Sequence, residues 1–105
     1  MAAIQDLRPI TPRSNRTRKE SDIKYLARHH SATPTGDWKH FWSYWQTKGW
    51  GTGGYAEIIL RDGTVQLCYD PNEITNGIAG HNSNTYHICV VGNGSFTEIQ
   101  EKVWE

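Results

Sequence analysis

The sequence has no apolar run long enough for a membrane span or the core of a signal peptide. That predicts a soluble chain, cytoplasmic on synthesis, which needs a separate release route for any work outside the cell. Its two cysteines, Cys68 and Cys89, are too few for a disulfide framework, and their spacing matches no zinc-finger or redox motif. Free thiols in a reduced compartment are the plain reading. Charge of either sign is not in excess: 11 Lys and Arg meet 11 Asp and Glu, so no bulk attraction to nucleic acid is implied. There are no internal repeats and no low-complexity tracts. Apolar residues make up 36% of the 105, which limits the chain to one small domain with a thin core.

Five Trp and five Tyr partly make up for the thin core, because each buries a large area. The charge is also uneven. Residues 1–30 carry seven Lys and Arg against three acids, and residues 31–105 carry four against eight. Residues 1–20 combine Pro9, Pro12, several hydroxyls and clustered cations, which reads as an extended basic N-terminal arm. A solvated arm lying over the domain is expected, pinned through Ile4 and Leu7, in preference to a nucleic-acid contact.

The pattern from residue 21 onward alternates strands and helices. Residues 23–29 have the length and residue types of a buried strand, and a turn follows at residues 33–36. Trp38, Phe41, Trp42 and Trp45 then recur at helical spacing, with Asp37 at the start and Gly49 past the end. The glycine-rich stretch 49–54 lacks the spacing of a phosphate-binding loop. Residues 55–60 and 65–69 read as strands joined by Asp62-Gly63, a strong hairpin signal. A long polar loop covers residues 71–84. Residues 86–91 read as a continuous strand of the kind that lies at a sheet centre. Thr97 and Gln100 form a capping box for a last helix, with Ile99, Val103 and Trp104 as its apolar stripe. The fold class is α/β: a small mixed β-sheet flanked by helices.

Chemistry gathers at His29-His30, where the first strand ends. Imidazole is a common neutral metal ligand, and a strand end holds it rigidly. His30 is expected to lie beneath His29 and fix its tautomer. By strand alternation His87 and Cys89 share a face, as do Tyr55 and Glu57. If that face lines a cleft, His29, His87 and Cys89 are an alternative set of metal ligands. Otherwise Cys89 is a buried thiol and His87 a hydrogen-bonded strand residue. Glu57 is either a general base or a carboxylate on an edge strand facing water.

Five landmarks in order carry a family resemblance: Ile23-Lys24-Tyr25 leading to His29-His30-Ser31-Ala32-Thr33; the aromatic helix ending in Gly49-Trp50; Gly54-Tyr55 with Ile58-Ile59; Arg61-Asp62-Gly63-Thr64-Val65; and Gly80-His81-Asn82 leading to Ile88-Cys89-Val90-Val91-Gly92-Asn93. Together they resemble the zinc-dependent N-acetylmuramoyl-L-alanine amidases, a group that includes amidase-type phage lysozymes and the peptidoglycan recognition proteins. The resemblance implies a peptidoglycan hydrolase of the phage or prophage endolysin type, cutting the amide between N-acetylmuramic acid and L-alanine. It implies Zn2+ as cofactor, His29 as a metal ligand and Tyr55 as the catalytic phenol. Trp50 and His81 are then candidate contacts for peptidoglycan or muropeptide. In the family the other two ligands follow a long C-terminal helix. Residues 21–105 thus correspond to the N-terminal two-thirds of an amidase-like domain: a hydrolase whose activity the truncation puts in question, with a catalytically dead muropeptide-binding module as the alternative. Loss of a covering helix makes self-association, a homo-oligomer, the expected way to bury the exposed sheet.

Overall fold

The computed structural model describes residues 4–14, 16–33, 35–77, 82–92 and 95–104. Among these residues the strands are β1 (Ile4–Asp6), β2 (Tyr25–His30), β3 (Glu57–Ile59), β4 (Val65–Leu67) and β5 (Thr85–Val90). The helices are α1 (Trp38–Thr47) and α2 (Glu98–Trp104). The strands form one mixed sheet in the order β1-β4-β3-β5-β2, with only the β3–β4 hairpin antiparallel. This is the expected α/β architecture.

Local chemistry sets the elements. Asp37 caps α1, accepting from the His40 amide at 3.1 Å. At the other end Gly49 takes a φ of +74°, and two amides close the helix: Gly49 N to the Gln46 carbonyl at 3.0 Å and Trp50 N to the Trp45 carbonyl at 3.1 Å. In the hairpin turn, Gly63 has a φ of +89° and Asp62 accepts from the Thr64 amide at 2.9 Å. The capping box at α2 forms in both directions, Thr97 N to Gln100 Oε1 at 2.9 Å and Gln100 N to Thr97 Oγ1 at 3.1 Å.

The sheet is covered on both faces. On one side the α1 aromatics Trp38, Phe41, Trp42 and Trp45 pack over Ile58, Cys68 and Cys89. On the other, Phe96 and Trp104 pack over Ile59, Val65 and Val90. β5 lies between β3 and β2, as its apolar run suggested. Gln100 is fully buried and donates from Nε2 to the Ile59 and Val91 carbonyls, at 3.2 and 2.8 Å, tying α2 to two strands.

Three expectations need correcting. β2 is an edge strand, and Tyr25 and Leu26 are 62% and 59% exposed. Its apolar residue types had suggested burial, but among the described strands only β5 pairs with it. The arm is not merely solvated: β1 joins the sheet edge beside β4, and Leu7 is buried while Ile4 stays exposed. Two of its arginines hydrogen-bond to the domain. Arg13 donates to the Cys68 carbonyl at 2.6 Å and Arg18 to the Asn82 and Thr85 carbonyls at 2.9 and 2.8 Å. Finally, Ile99 is exposed and does not belong to the α2 core stripe. The Val103 side chain lies outside the described residues.

Candidate functional site

The site is built where β2 and β5 run parallel. Register places His29 opposite Cys89 and Ala27 opposite His87, so alternation puts all of these on the α1 face. His29 Nε2 lies 2.9 Å from His87 Nδ1, and His87 Nε2 lies 2.9 Å from Asn82 Oδ1. The His29 ring sits 5.2 Å from the Tyr55 ring, centre to centre. Tyr55 in turn packs edge-on against Phe41 and Trp45. The helix stripe is thus a wall that holds the phenol beside the imidazole.

Alternation fails at Tyr55. It lies ahead of β3, separated from it by a bend at Ala56. Tyr55 joins the α1 side, while Glu57 lies on the other face and accepts from the Tyr86 hydroxyl at 2.6 Å. β3 is an interior strand, so Glu57 is neither an edge-strand carboxylate nor a base at this site. His30 also departs from expectation. It is exposed and points away from His29, because adjacent strand residues face opposite sides; the imidazole within hydrogen-bond distance of His29 is that of His87.

Burial controls the ionisation of the cluster. It pushes the pKa of His29 down, with the nearby His30 adding to the effect. It pushes His87 further, to about 4, helped by His29 and Arg18. Cys89 is held up to about 12 by burial, against a hydrogen bond from Tyr55. Burial also raises Tyr55, with the Cys89 sulfur next in importance. At neutral pH the site therefore presents two neutral imidazoles, a thiol and a phenol.

Beside the cluster lies a cavity of about 220 Å³ lined by Trp50, Lys48, Gly54, Tyr55, Asn76 and Gly77. Trp50 is half-buried with the Lys48 ammonium 5.6 Å above its ring. A second cavity of about 620 Å³ opens on the far side of Tyr44, lined by Ser31, Thr33, Asp37, His40 and Phe41 among others. His81, expected to border this groove, lies outside the described residues.

The structure thus brings His29, Tyr55, His87 and Cys89 together, with Trp50 on the adjoining wall. It does not make them a three-ligand metal centre: no group of three His, Cys, Asp or Glu among the described residues is placed to hold an ion. Cys89 is fully buried, and it is engaged by Tyr55. A catalytic zinc takes three protein ligands, and both ring nitrogens of His87 are engaged, by His29 and Asn82. The alternative set His29, His87 and Cys89 is therefore not formed. Two features escaped the sequence reading. One is the Asn82 amide, since nothing in one sequence shows that it meets His87. Gly77 packs so close to His87 that a Cβ there would stand 2.4 Å from the imidazole.

This arrangement of sheet and helices is the fold seen in N-acetylmuramoyl-L-alanine amidases and peptidoglycan recognition proteins. The chain superimposes on the N-acetylmuramoyl-L-alanine amidase LysC from Clostridium intestinale URNW with a TM-score of 0.81 and 18% identity, over 98% of this chain and 70% of that one. It matches Drosophila Peptidoglycan Recognition Protein (PGRP)-SA with a TM-score of 0.80 and 16% identity, over 99% of this chain and 68% of that one. By sequence it is similar to the endolysin of Klebsiella phage KP32, 40% identical over 45 residues. That match covers 43% of this chain and 30% of the endolysin's length. No family model matches the sequence. No helix among the described residues is long and apolar enough to cross a membrane.

Proposed function

We propose that this chain is a peptidoglycan hydrolase of the endolysin type, acting at the bacterial cell wall on the amide between N-acetylmuramic acid and L-alanine. The observation that carries the reading is the His29–Tyr55 pair, 5.2 Å apart between ring centres, held beside an aromatic-lined cavity. The fold shared with amidases and the match to a phage endolysin support it.

The residues divide the work. Trp50 offers an apolar platform for the sugar or stem peptide, with the Lys48 ammonium nearby for a stem-peptide carboxylate. Tyr55 stays protonated over the whole working range, so its hydroxyl is a fixed donor. At rest it serves the weakly accepting Cys89 sulfur. The carbonyl oxygen of a bound amide is a better acceptor, and better still as it becomes an oxyanion. His29, neutral at pH 7, offers a lone pair. Zinc is the cofactor such an amidase uses to polarise the carbonyl and activate water. In this reading, residues 21–105 form the N-terminal two-thirds of the amidase domain, His29 is its one ligand here, and two further ligands come from outside the described residues.

A second reading rests on the same shortage of ligands: a module that binds muropeptide without cutting it. One experiment separates them. Purified peptidoglycan is incubated with the chain in the presence of zinc, and newly exposed L-alanine amino groups are counted. The hydrolase reading expects release that falls at least tenfold in His29→Ala and Tyr55→Phe. Retention of the chain on peptidoglycan with no release supports the module. Neither retention nor release defeats both.

A further inference from the structure

We propose that Asn82 and His87 are positioning residues that fix the tautomer of His29, leaving its Nδ1 as the nitrogen with the free lone pair. The inference deepens the amidase reading of this site and rests on it for its purpose, though its geometry stands by itself. Asn82 Oδ1 can only accept, so His87 Nε2, 2.9 Å away, carries a proton. A neutral imidazole has one N–H, so His87 Nδ1 is an acceptor. His29 Nε2, 2.9 Å from it, must then be the donor. His29 Nδ1 is left without a proton, ready to accept one from water or to bind a metal ion.

The chain of bonds is held from three sides. His87 is fully buried. Gly77 lies against its ring with no room for a methyl group. Arg18, from the N-terminal arm, donates to the carbonyls of Asn82, Thr85 and Pro71 at 2.9, 2.8 and 2.9 Å, and so fixes the segment that carries the Asn82 amide. The arm thereby supports the site from the far side of the domain.

Imidazole NMR of the 15N-labelled full chain tests this, at pH 8 with chelator and without substrate. The expected result is a proton on Nε2 of both His29 and His87, with a scalar coupling across the hydrogen bond from His29 Nε2 to His87 Nδ1. Asn82→Ala is expected to abolish the coupling and to speed solvent exchange of the His29 Nε2 proton at least tenfold. Asn82→Asp, which keeps the acceptor, is expected to retain both. A proton on His87 Nδ1 donated toward His29 would overturn the proposal, as would an unchanged pattern in Asn82→Ala. Should Asn82→Ala fail to fold, the bond polarity in the unmodified chain decides the matter. Peptidoglycan plays no part in this measurement, so it can fail while the hydrolase reading stands, and the reverse also holds.

Discussion

Replacing Gly77 by Ala tests how tightly the site is packed. An added Cβ would stand 2.4 Å from His87 Cγ and Nδ1 and 2.7 Å from Cδ2. Ordinary carbon contacts start about 1 Å further out. The φ of Gly77 is not in the left-handed region, so backbone strain is not the cause. The imidazole cannot yield cheaply, because it is fully buried and bonded at both nitrogens. Overpacking of this kind costs about 1–3 kcal/mol, and losing one of the two hydrogen bonds adds about 1 kcal/mol. The expected loss is about 2–4 kcal/mol, or roughly 10 °C or more in melting temperature for a domain of this size. Urea denaturation with an unchanged slope, read beside the imidazole NMR spectrum, measures both parts. A variant within about 0.5 kcal/mol of the parent, with undisturbed His29 and His87 resonances, would refute the packing argument.

Three further outcomes are expected. Gln100→Leu removes a fully buried amide that serves the Ile59 and Val91 carbonyls and the Thr97 amide. It should cost about 2–4 kcal/mol in urea denaturation, and a loss below about 0.5 kcal/mol would show those carbonyls finding other partners. Asp37→Ala should cost about 1 kcal/mol through the lost α1 cap, with helical circular dichroism falling on the same melting curve. The pH dependence follows from His87, whose pKa falls from the usual 6.5 to about 4. Between those values the unfolded chain binds more protons than the folded one. Stability is therefore complete above about pH 6.5 and declines as pH falls toward 4, by about 3 kcal/mol from this group. His29 shifts in the same direction. Urea midpoints that hold level or rise between pH 7 and 4.5 would contradict the burial of a neutral His87.

What the sequence made legible was local. The Asp37 cap, the Gly49 stop, the Asp62-Gly63 hairpin and the Thr97–Gln100 box each depend on residues a few positions apart, and each appears as expected. The landmark order was enough for the fold, and His29 and Tyr55 do meet. The errors lie where distant segments decide. An apolar strand looks the same at an edge as at the centre, so β2 was misplaced. The basic arm looked solvated because its partners are backbone carbonyls some sixty positions away, which have no sequence signature. A strict period of two puts Glu57 and Tyr55 on one face, but Tyr55 lies ahead of β3 and a bend at Ala56 breaks the period. His30 cannot lie beneath His29, since neighbours in sequence are on opposite faces of a strand, and the partner imidazole is the distant His87.

The central claim is that the groove beside His29 and Tyr55 takes muropeptide. The most direct measurement is a titration of the 15N-labelled chain with a soluble muropeptide, followed by amide and indole resonances. The account expects saturable shifts at Trp50, Gly54, Tyr55, Asn76 and Gly77, weakened several-fold in Trp50→Ala. Shifts that map instead to the opposite face around Glu57 and Tyr86, or no shifts at millimolar ligand, would contradict it.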